Sequence, residues 1–456
     1  MKPQELRQVL EADLENVWHP MTQHKLLAKQ PPKLIVGAKG STIVDAEGRE
    51  YLDGMAGLWC VNVGYGRREI AEAVYRQMLQ LPYYPHTQAN VPAAKLADRL
   101  TALTGGEPCH TYFVNSGTEA NEAAFKLARQ YHRQVHPGEP RYKTIGRHYS
   151  YHGTSMATLA AGCVPERKTK YEPLGDGFLH VPPAYCYRCP FGLSYPSCGL
   201  ACAKQIEYAI RAEGAETVAA VVLEPVQSAV GVLVPPDEYL REVAAACRRH
   251  GVLLILDEVI NGFGRTGKMF AHQHYGVVPD LLCLAKGLTS GYQPIGAVMA
   301  TSEVFNGFLG ELEENRQNAQ VNTWGGHAAA CAAALANLDI MEQEQLPERA
   351  AQTGAHLLEG LRSLLSLPAV GDVRGKGLLL AVELVEDKQT RGPLGGARTA
   401  AVIRGCLERG VIVGRSSGAG GGLGNCVTLA PPLVLTLAEA DRIVATLHEA
   451  IDRELR

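Results

Sequence analysis

The sequence lacks the features of a membrane or secreted protein, and it lacks an excess of either charge. None of its apolar runs approaches the roughly 20 residues needed to cross a bilayer. The amino end, MKPQELRQVLEADLENVWHP, is acidic and has a helical pattern, unlike a secretory signal. The 44 basic and 47 acidic residues leave a net charge of −3, so no polyanionic partner is indicated. We expect a cytoplasmic protein that binds neither nucleic acid nor membrane.

Internal repeats are also absent from the sequence, and low-complexity sequence is confined to SSGAGGGLG (416–424). Regular patterns resume on both sides of this stretch, so we expect a mobile loop rather than a linker. A chain of 456 residues is long enough for two cores. We predict a large domain over residues 60–340 and a small C-terminal domain over 341–456. Residues 1–59 are expected to contribute to the small domain and to the active-site rim.

The cysteine pattern does not indicate disulfide bonds, although the chain has 12 cysteines. Several lie inside apolar helix or strand patterns, where a thiol behaves as a small hydrophobe: Cys247, Cys283, Cys331 and Cys406. Four others have the spacing C-x2-C-x8-C-x3-C, which can hold zinc: Cys186, Cys189, Cys198 and Cys202. These pairs lack the usual zinc-knuckle context, and thiols also pack well in loops rich in proline and glycine. We therefore expect no bound metal.

Apolar, strand-like runs alternate with helix-like segments, which is typical of a mostly parallel sheet covered on both faces. Ligands of such sheets gather outside the carboxyl ends of the strands. The clearest strands, AAVVLEP (219–225), GVLLILDEV (251–259) and DLLCLAKG (280–287), end near Glu224, Asp257 and Lys286. We expect these three side chains to share one site.

The remaining pattern completes the predicted architecture. The segment PPDEYLREVAAACRRHG (235–251) has acidic residues early, arginines late and Gly251 as a stop, so it predicts a helix that joins two of the strands. From about residue 341 the pattern changes to a helix, short strands, the glycine-rich stretch and a final amphipathic helix. We predict an α/β fold, with a mostly parallel central sheet in the large domain and a smaller α+β domain.

Lys286 stands between an apolar run and a glycine, in LLCLAKGLTSGYQP. A lysine at a strand end can simply reach water. A lysine held in a partly dry pocket instead loses its proton readily and becomes a nucleophile. The neighbouring strand ends, with Glu224 and Asp257, favour the second interpretation.

The stretch TYFVNSGTEANEAAFKLARQYHR (111–133) indicates an anion site. It runs from a short strand through Ser116, Gly117 and Thr118 into a helical segment. Small residues at this point let backbone N–H groups approach an anion, the hydroxyls add donors, and the helix dipole favours negative charge. Serine and threonine are also ordinary helix N-caps. The strand-end carboxylate and lysine favour a phosphate site.

Together these residues match the needs of pyridoxal 5'-phosphate, which requires an amine, a phosphate site, a carboxylate at its pyridine nitrogen and flat contacts on its ring. Lys286 would form the Schiff base, and Asp257 would keep the pyridine nitrogen protonated. Val259, two residues after Asp257, is expected on the same strand face and against one side of the ring. Tyr151 is expected to stack on the other side.

Seven motifs also carry a family resemblance. They occur in the order DGMAGLWCVNVGYG, NSGTEANEAAFKLAR, YSYHGTS, LEPVQSAVGV, LDEVINGFGRTG, LAKGLTSGYQPIGAV and APPLV. In them the chain resembles the class III pyridoxal-phosphate aminotransferases, the ω-amino acid:pyruvate and amine:pyruvate transaminases, along nearly its whole length. The resemblance implies fold type I and a homodimer or tetramer whose active sites are completed by the partner chain. It also implies ping-pong transfer of an amino group from an ω-amino acid or primary amine to pyruvate, through Lys286.

The resemblance implies roles for single residues. Gly117 and Thr118 would hold phosphate, and Glu224 would lie near the hydroxyl side of the ring. Thr323, in VNTWGGH, would reach the phosphate in the partner subunit, although Asn322 stands where relatives often have an aromatic residue or glycine. The full set of implied cofactor contacts is Ser116, Gly117, Thr118, Tyr151, His152, Glu224, Asp257, Val259, Lys286 and Thr323.

Substrate contacts are implied at Trp59, Tyr151 and Arg415. Trp59, in GLWC, matches an aromatic residue that lines the amine pocket in these transaminases, although a tryptophan there can equally belong to the core. Arg415, in VIVGRSSG, falls where the family places a mobile arginine that binds the carboxylate of pyruvate or an amino acid. A guanidinium suits this role because it grips a carboxylate with two parallel hydrogen bonds. An ordinary surface arginine is the alternative.

Several alternatives remain open. The same framework serves 4-aminobutyrate, ornithine, diaminopelargonate and taurine-type transaminases, as well as an aminomutase that needs no second substrate. NVWHPMTQ near the amino end resembles the diaminopelargonate type, whereas GLWCVNVGYG favours the ω-amine group. A noncatalytic or zinc-organised binding protein on this fold is a further alternative. The sequence does not identify the natural amine donor.

Overall fold

The computed structural model of the protein describes residues 3–27, 29–417 and 423–455. Its strands are β1 Ile35–Lys39, β2 Thr42–Asp45, β3 Glu50–Asp53, β4 His110–Val114, β5 Lys143–Arg147, β6 Phe178–Val181, β7 Val218–Leu223, β8 Leu253–Asp257, β9 Leu281–Leu284, β10 Gly296–Ala300, β11 Val370–Lys376, β12 Leu379–Asp387, β13 Gly392–Pro393, β14 Val411–Ile412, β15 Gly414–Arg415 and β16 Cys426–Leu429. Its α-helices are α1 Pro3–Asn16, α2 His24–Leu27, α3 Ala56–Trp59, α4 Arg68–Gln80, α5 Val91–Thr104, α6 Gly117–Val135, α7 Met156–Ala161, α8 Pro165–Lys168, α9 Ala201–Ala212, α10 Tyr239–Arg249, α11 Ser302–Asn306, α12 Ala328–Gln343, α13 Leu346–Arg362, α14 Gly396–Glu408 and α15 Leu437–Leu455.

A seven-stranded sheet forms the centre of the molecule, in the order β4-β10-β9-β8-β7-β5-β6. The last five of these strands run parallel, whereas β10 is antiparallel to both of its neighbours. β7 and β8 are buried along their whole length, as expected where helices cover both faces of a sheet. The three strands predicted most clearly are confirmed as β7, β8 and β9, and the α/β class with a mostly parallel sheet is confirmed with them.

The register of the parallel strands brings three strand ends together. Leu223, the last residue of β7, pairs with Leu256, so Glu224 follows next to Asp257. β9 is the other neighbour of β8, and Lys286 lies two residues beyond its end at Leu284. A shared edge for these side chains therefore follows from the pairing of the backbone.

The predicted helix between β7 and β8 is confirmed as α10. Its apolar residues pack toward the sheet, with Leu240, Val243 and Cys247 buried. Gly251, the predicted stop, has a φ of +61°, which a glycine adopts without the steric penalty of a side chain. The helix ends where the sequence pattern indicates.

Two smaller sheets lie outside the central one. β11, β12, β16 and β15 form an antiparallel sheet, and β13 pairs with β12. β1, β2 and β3 form another sheet that β14 joins in parallel, so the segment 1–59 pairs with the C-terminal part of the chain. The exact domain division at residues 59 and 340 stays a prediction. Within the predicted mobile loop 416–424, residues 418–422 lie outside the described residues.

Among the helices of the described ranges, none is both long enough and apolar enough to span a bilayer.

Candidate active site

The carboxyl ends of β7, β8 and β9 border a cavity of about 420 Å³. Lys286, at the end of β9, and the loop after β8 contribute to its wall. Most of the residues that the sequence indicates as cofactor contacts line this one cavity: Ser116, Gly117, Thr118, Tyr151, His152, Glu224, Asp257, Val259 and Lys286. Side chains from five separate stretches of sequence thus meet in one place.

Lys286 is only partly exposed, and its backbone has a φ of +46°. Burial lowers the pKa of its ammonium below the ordinary 10.5, and the Cys60, Asp257 and Glu224 side chains oppose this shift when they are ionised. An amine with a lowered pKa is neutral more often at physiological pH, so it is a better nucleophile and base than a surface lysine.

Asp257 is held by donors on both of its carboxylate oxygens. Its Oδ2 accepts a hydrogen bond of 2.8 Å from Asn121 Nδ2 and lies 2.8 Å from His152 Nδ1. Its Oδ1 accepts 3.1 Å from the backbone N–H of Val259. β8 ends at Asp257, so the expectation that Val259 shares the strand face is wrong. Val259 reaches the cavity because the Asp257 side chain caps the turn that begins there.

The start of α6 forms a close-fitting cradle. Ser116 is the N-cap of this helix, and its side chain accepts a hydrogen bond of 3.2 Å from the backbone N–H of Glu119. This serine therefore has an ordinary capping role. A Cβ on Gly117 would lie 2.6 Å from Val259 Cγ1, and one on Gly153 would lie 2.8 Å from Thr118 Oγ1. Only glycines leave this space open, and the first amides of a long helix border it.

Glu224 connects Tyr151 to the segment after β7. Its carboxylate accepts hydrogen bonds of 3.3 Å from the backbone N–H of Tyr151 and 2.9 Å from the backbone N–H of Ser228. Burial raises the pKa of Glu224, and a positive charge on His152 would oppose the shift. The carboxylate therefore helps fix the position of the Tyr151 backbone at the cavity wall.

Three predicted contacts do not line the cavity. Trp59 packs against an apolar cluster that includes Val226 and Ile260, with its indole N–H buried and unpartnered. Arg415 is exposed at the end of β15, where its Nε donates 2.8 Å to Gly424 O. Thr323 is exposed, and its contact with a partner subunit's phosphate stays a prediction.

The cavity also holds residues that the sequence analysis did not single out. Asn121 is the main one, because its amide binds Asp257 and also donates 3.0 Å to His152 O. It stands one helical turn after Gly117 in NSGTEAN, and that spacing was the available signal. Cys60 and Gln293 line the cavity as well, and both lie inside quoted motifs with no pattern that marks them.

Comparison with known proteins agrees with this geometry. A model of the family described as Aminotransferase class-III matches residues 27–451. The chain is a class III aminotransferase. It is 47% identical over 439 residues to the protein named uncharacterized aminotransferase YhxA of Bacillus subtilis (strain 168), a match that covers 96% of this chain and 95% of the relative.

Two further comparisons bear on this aminotransferase. It is 40% identical over 454 residues to a taurine–pyruvate aminotransferase of Rhodobacter capsulatus, with 99% of this chain and 98% of the relative covered. The crystal structure of a thermostable (S)-enantioselective omega-transaminase from Thermomicrobium roseum superposes with a TM-score of 0.92 at 40% identity, covering 99% of each chain. The fold of this chain is accordingly that of the type I pyridoxal-phosphate enzymes.

The cofactor of this aminotransferase is pyridoxal phosphate, and the residues present fit that group. The glycine cradle at α6 leaves room beside helical N–H groups, as a phosphate requires. Asp257 offers a buried carboxylate, and Lys286 offers an amine with a lowered pKa in the same cavity. A phosphate site, a carboxylate and an amine are three of the four features that this cofactor needs from a protein.

Proposed function

We propose that this aminotransferase acts in the cytoplasm and moves an amino group from an ω-amino acid or primary amine to pyruvate. The single observation that carries the proposal is the convergence of Lys286, Asp257 and the α6 cradle on one cavity. The relatives named for taurine and pyruvate support the acceptor and an ω-amine donor.

Bound pyridoxal phosphate supplies an electron sink for the pair released when a C–H bond next to nitrogen is broken. The neutral Nζ of Lys286 would accept that proton and hold it for return. Asp257 would stabilise a positive charge on the pyridine nitrogen, and Asn121 and His152 orient its carboxylate. Donor and acceptor use the same cavity in turn, so we expect ping-pong kinetics.

We infer that the working unit is a homodimer or a tetramer built from such dimers. Thr323 lies among exposed apolar side chains, with Val321 76% and Trp324 55% exposed. Apolar exposure of this kind marks interaction surfaces. Association of two copies through this surface would bring Thr323 of one copy to the phosphate site of the other. Light scattering would measure the mass, and Thr323→Ala should weaken phosphate binding without changing that mass. A monomer that is fully active would contradict the inference.

A taurine-type specificity is the second candidate, because a taurine–pyruvate enzyme is 40% identical over almost the whole chain. Taurine is also an ω-amine, but its acid group is a sulfonate. The two candidates therefore differ in the acid end of the donor, whereas the amine chemistry is shared.

A donor panel with pyruvate tests the proposal. Simple amines, ω-amino carboxylic acids and taurine would each be offered to the holoenzyme, and alanine would be measured. Lys286→Ala should abolish transfer while the fold and phosphate binding persist. An aminated cofactor that pyruvate does not discharge would point to an aminomutase. Retention of the visible absorbance of the lysine-bound cofactor in Lys286→Ala would refute the assignment of Lys286.

A further inference from the structure

Arg167 is a half-buried cation that packs against Tyr151, a residue of the active-site cavity. It lies in α8, and its guanidinium carbon is 4.7 Å from the centroid of the Tyr151 ring. Tyr151 itself lines the cavity. An arginine stacked on an aromatic ring in this way is fixed in orientation, with its N–H groups directed outward from the ring edge.

Within the described ranges, the guanidinium of Arg167 has few hydrogen-bond partners. Its Nη2 donates 3.0 Å to Ser417 Oγ, whereas its Nε is buried with no hydrogen-bond partner. Among the described residues, no carboxylate forms an ion pair with it. The carboxylate of Glu224, which lines the cavity, is already bound by the backbone N–H groups of Tyr151 and Ser228.

A partly buried charge without a counter-ion is unfavourable in the free protein. It becomes favourable when an anion binds, because a guanidinium forms short, charge-assisted hydrogen bonds with a planar or tetrahedral acid group. Arg167 therefore has the physical character of a ligand-binding cation rather than that of a structural one.

The position of Arg167 is also fixed relative to the cavity. Ser417, its hydrogen-bond partner, donates 2.9 Å from its backbone N–H to Ala229 O. Ala229 follows Ser228, which is tied to Glu224 in the cavity wall. Neither Arg167 nor Arg415 is itself a lining residue, and Arg415 is exposed whereas Arg167 is half-buried. Arg167 is already held against a cavity residue, Tyr151, whereas Arg415 binds Gly424 O.

We propose that Arg167 binds the acid group of acidic amine donors, a carboxylate or a sulfonate, and so selects ω-amino acids over simple amines. The inference rests on the proposed function and adds the residue that sets its donor class. Both acid groups present oxygens that a guanidinium can grip, so the shared chemistry is an anionic acid at the end of the donor remote from its amine.

The test compares three donors of similar length in the donor half-reaction of the holoenzyme: 3-aminopropanoate, taurine and 1-aminopropane. Arg167→Met should lower the specificity constant for at least one of the two acids by about 10- to 100-fold, the loss expected for a charged hydrogen bond. The loss should appear mainly in KM, and 1-aminopropane should be affected far less. Arg167→Lys keeps the charge but loses the paired N–H donors of the guanidinium. Its specificity constant for the acidic donors should therefore lie between those of wild type and Arg167→Met.

The neighbouring Lys168→Met is the matched control, since it removes one charge from the same short helix and should leave all three donors unaffected. A second readout is the calorimetric affinity of propanoate and ethanesulfonate, which bear the acid without the amine. Their binding should weaken in Arg167→Met but not in Lys168→Met.

Equal losses for acidic and acid-free donors would overturn the proposal, because they would show that Arg167 only positions Tyr151. An unchanged preference of Arg167→Met for acidic donors over 1-aminopropane would overturn the proposal as well. If wild-type protein used none of the donors with pyruvate, the proposed function would fail, and the affinity of the two acids would still decide whether Arg167 binds anions. A larger loss for one acid than for the other would identify which acid the site prefers.

Discussion

Asn121 Nδ2 donates a hydrogen bond of 2.8 Å to Asp257 Oδ2, and this contact links the helix that forms the phosphate cradle to the strand that presents the carboxylate. The same amide nitrogen lies within 3.1 Å of Gly117 O and 3.0 Å of His152 O. One side chain therefore sets the spacing between the predicted phosphate site and the predicted ring-nitrogen site.

The first prediction concerns Asn121 as a positioning residue. Asn121→Ala leaves a buried carboxylate with one donor fewer, which should lower the free energy of unfolding by about 1 to 3 kcal/mol. It should also slow the donor half-reaction, because Asp257 is then less firmly oriented. A double-mutant cycle with Asp257→Asn, followed by stopped-flow absorbance, should show clear coupling. Additive effects would mean that the two side chains act independently.

Asp257 itself carries the second prediction. Asp257→Asn should still bind the cofactor but should turn over slower by orders of magnitude, because an amide cannot stabilise a protonated pyridine nitrogen. Exposed Asp237→Asn is the control, since it removes one carboxylate far from the cavity wall. Near-normal half-reaction rates in Asp257→Asn would refute the role.

Much of this arrangement follows from the sequence, and the reasons are physical. Buried parallel strands read as continuous apolar runs, and their carboxyl ends must meet at one edge. The sequence alone therefore predicts that Glu224, Asp257 and Lys286 lie together. The sequence also predicts the α6 cradle, because small residues directly before an amphipathic helix form a pattern that is recognisable within one short segment.

Other parts depend on contacts between distant segments and have no such signature. Asn121 binds a carboxylate that lies 136 residues later in the chain. Arg167 meets Tyr151 and Ser417 only because separate loops pack together. Trp59 lies in an apolar cluster beside the cavity, and its motif alone could not separate a core position from a lining one.

The third prediction follows from the lowered pKa of Lys286. In the cofactor-free protein this group is less protonated when folded than when unfolded, so stability should rise with pH up to about the ordinary value of 10.5. Lys286→Met should therefore be more stable than wild type at neutral pH, and the difference should shrink as pH approaches 10.5. Urea unfolding at both pH values measures this. Exposed Lys268→Met should show no such trend. A difference in unfolding free energy between Lys286→Met and wild type that stayed constant with pH would contradict the lowered pKa of Lys286.

The fourth prediction is that the four clustered cysteines bind no essential metal. Cys186, Cys189, Cys198 and Cys202 line one small cavity, and burial raises the pKa of Cys202 to about 11, which opposes the thiolate form that zinc requires. We expect elemental analysis to find less than stoichiometric zinc, and chelation to leave the thermal midpoint unchanged. Stoichiometric zinc together with unfolding on chelation would prove this prediction wrong.

The last prediction is that Arg415 governs the acceptor. A carboxylate needs a cationic partner in a desolvated pocket, whereas an uncharged amine substituent is harmed by one, so a single cavity serves both only if the cation moves. Arg415 is exposed, with its Nε on Gly424 O, and must swing to reach pyruvate. The glycines expected to ease this motion, Gly418, Gly420, Gly421 and Gly422, lie outside the described residues.

Arg415→Ala should therefore weaken pyruvate and carboxylated donors by about 1.5 to 3 kcal/mol, as for the loss of a charged hydrogen bond, while it spares the half-reaction with a simple alkyl or aryl amine. Arg398→Ala is a suitable control, because Arg398 is an exposed arginine on the neighbouring α14 that pairs with Glu386. Combining Arg415→Ala with Arg167→Met separates the two cations: pyruvate should respond to Arg415 and not to Arg167, whereas carboxylated donors should respond to both. Equal losses for pyruvate and for a simple amine would show that Arg415 is structural and would move the carboxylate-binding role to another residue.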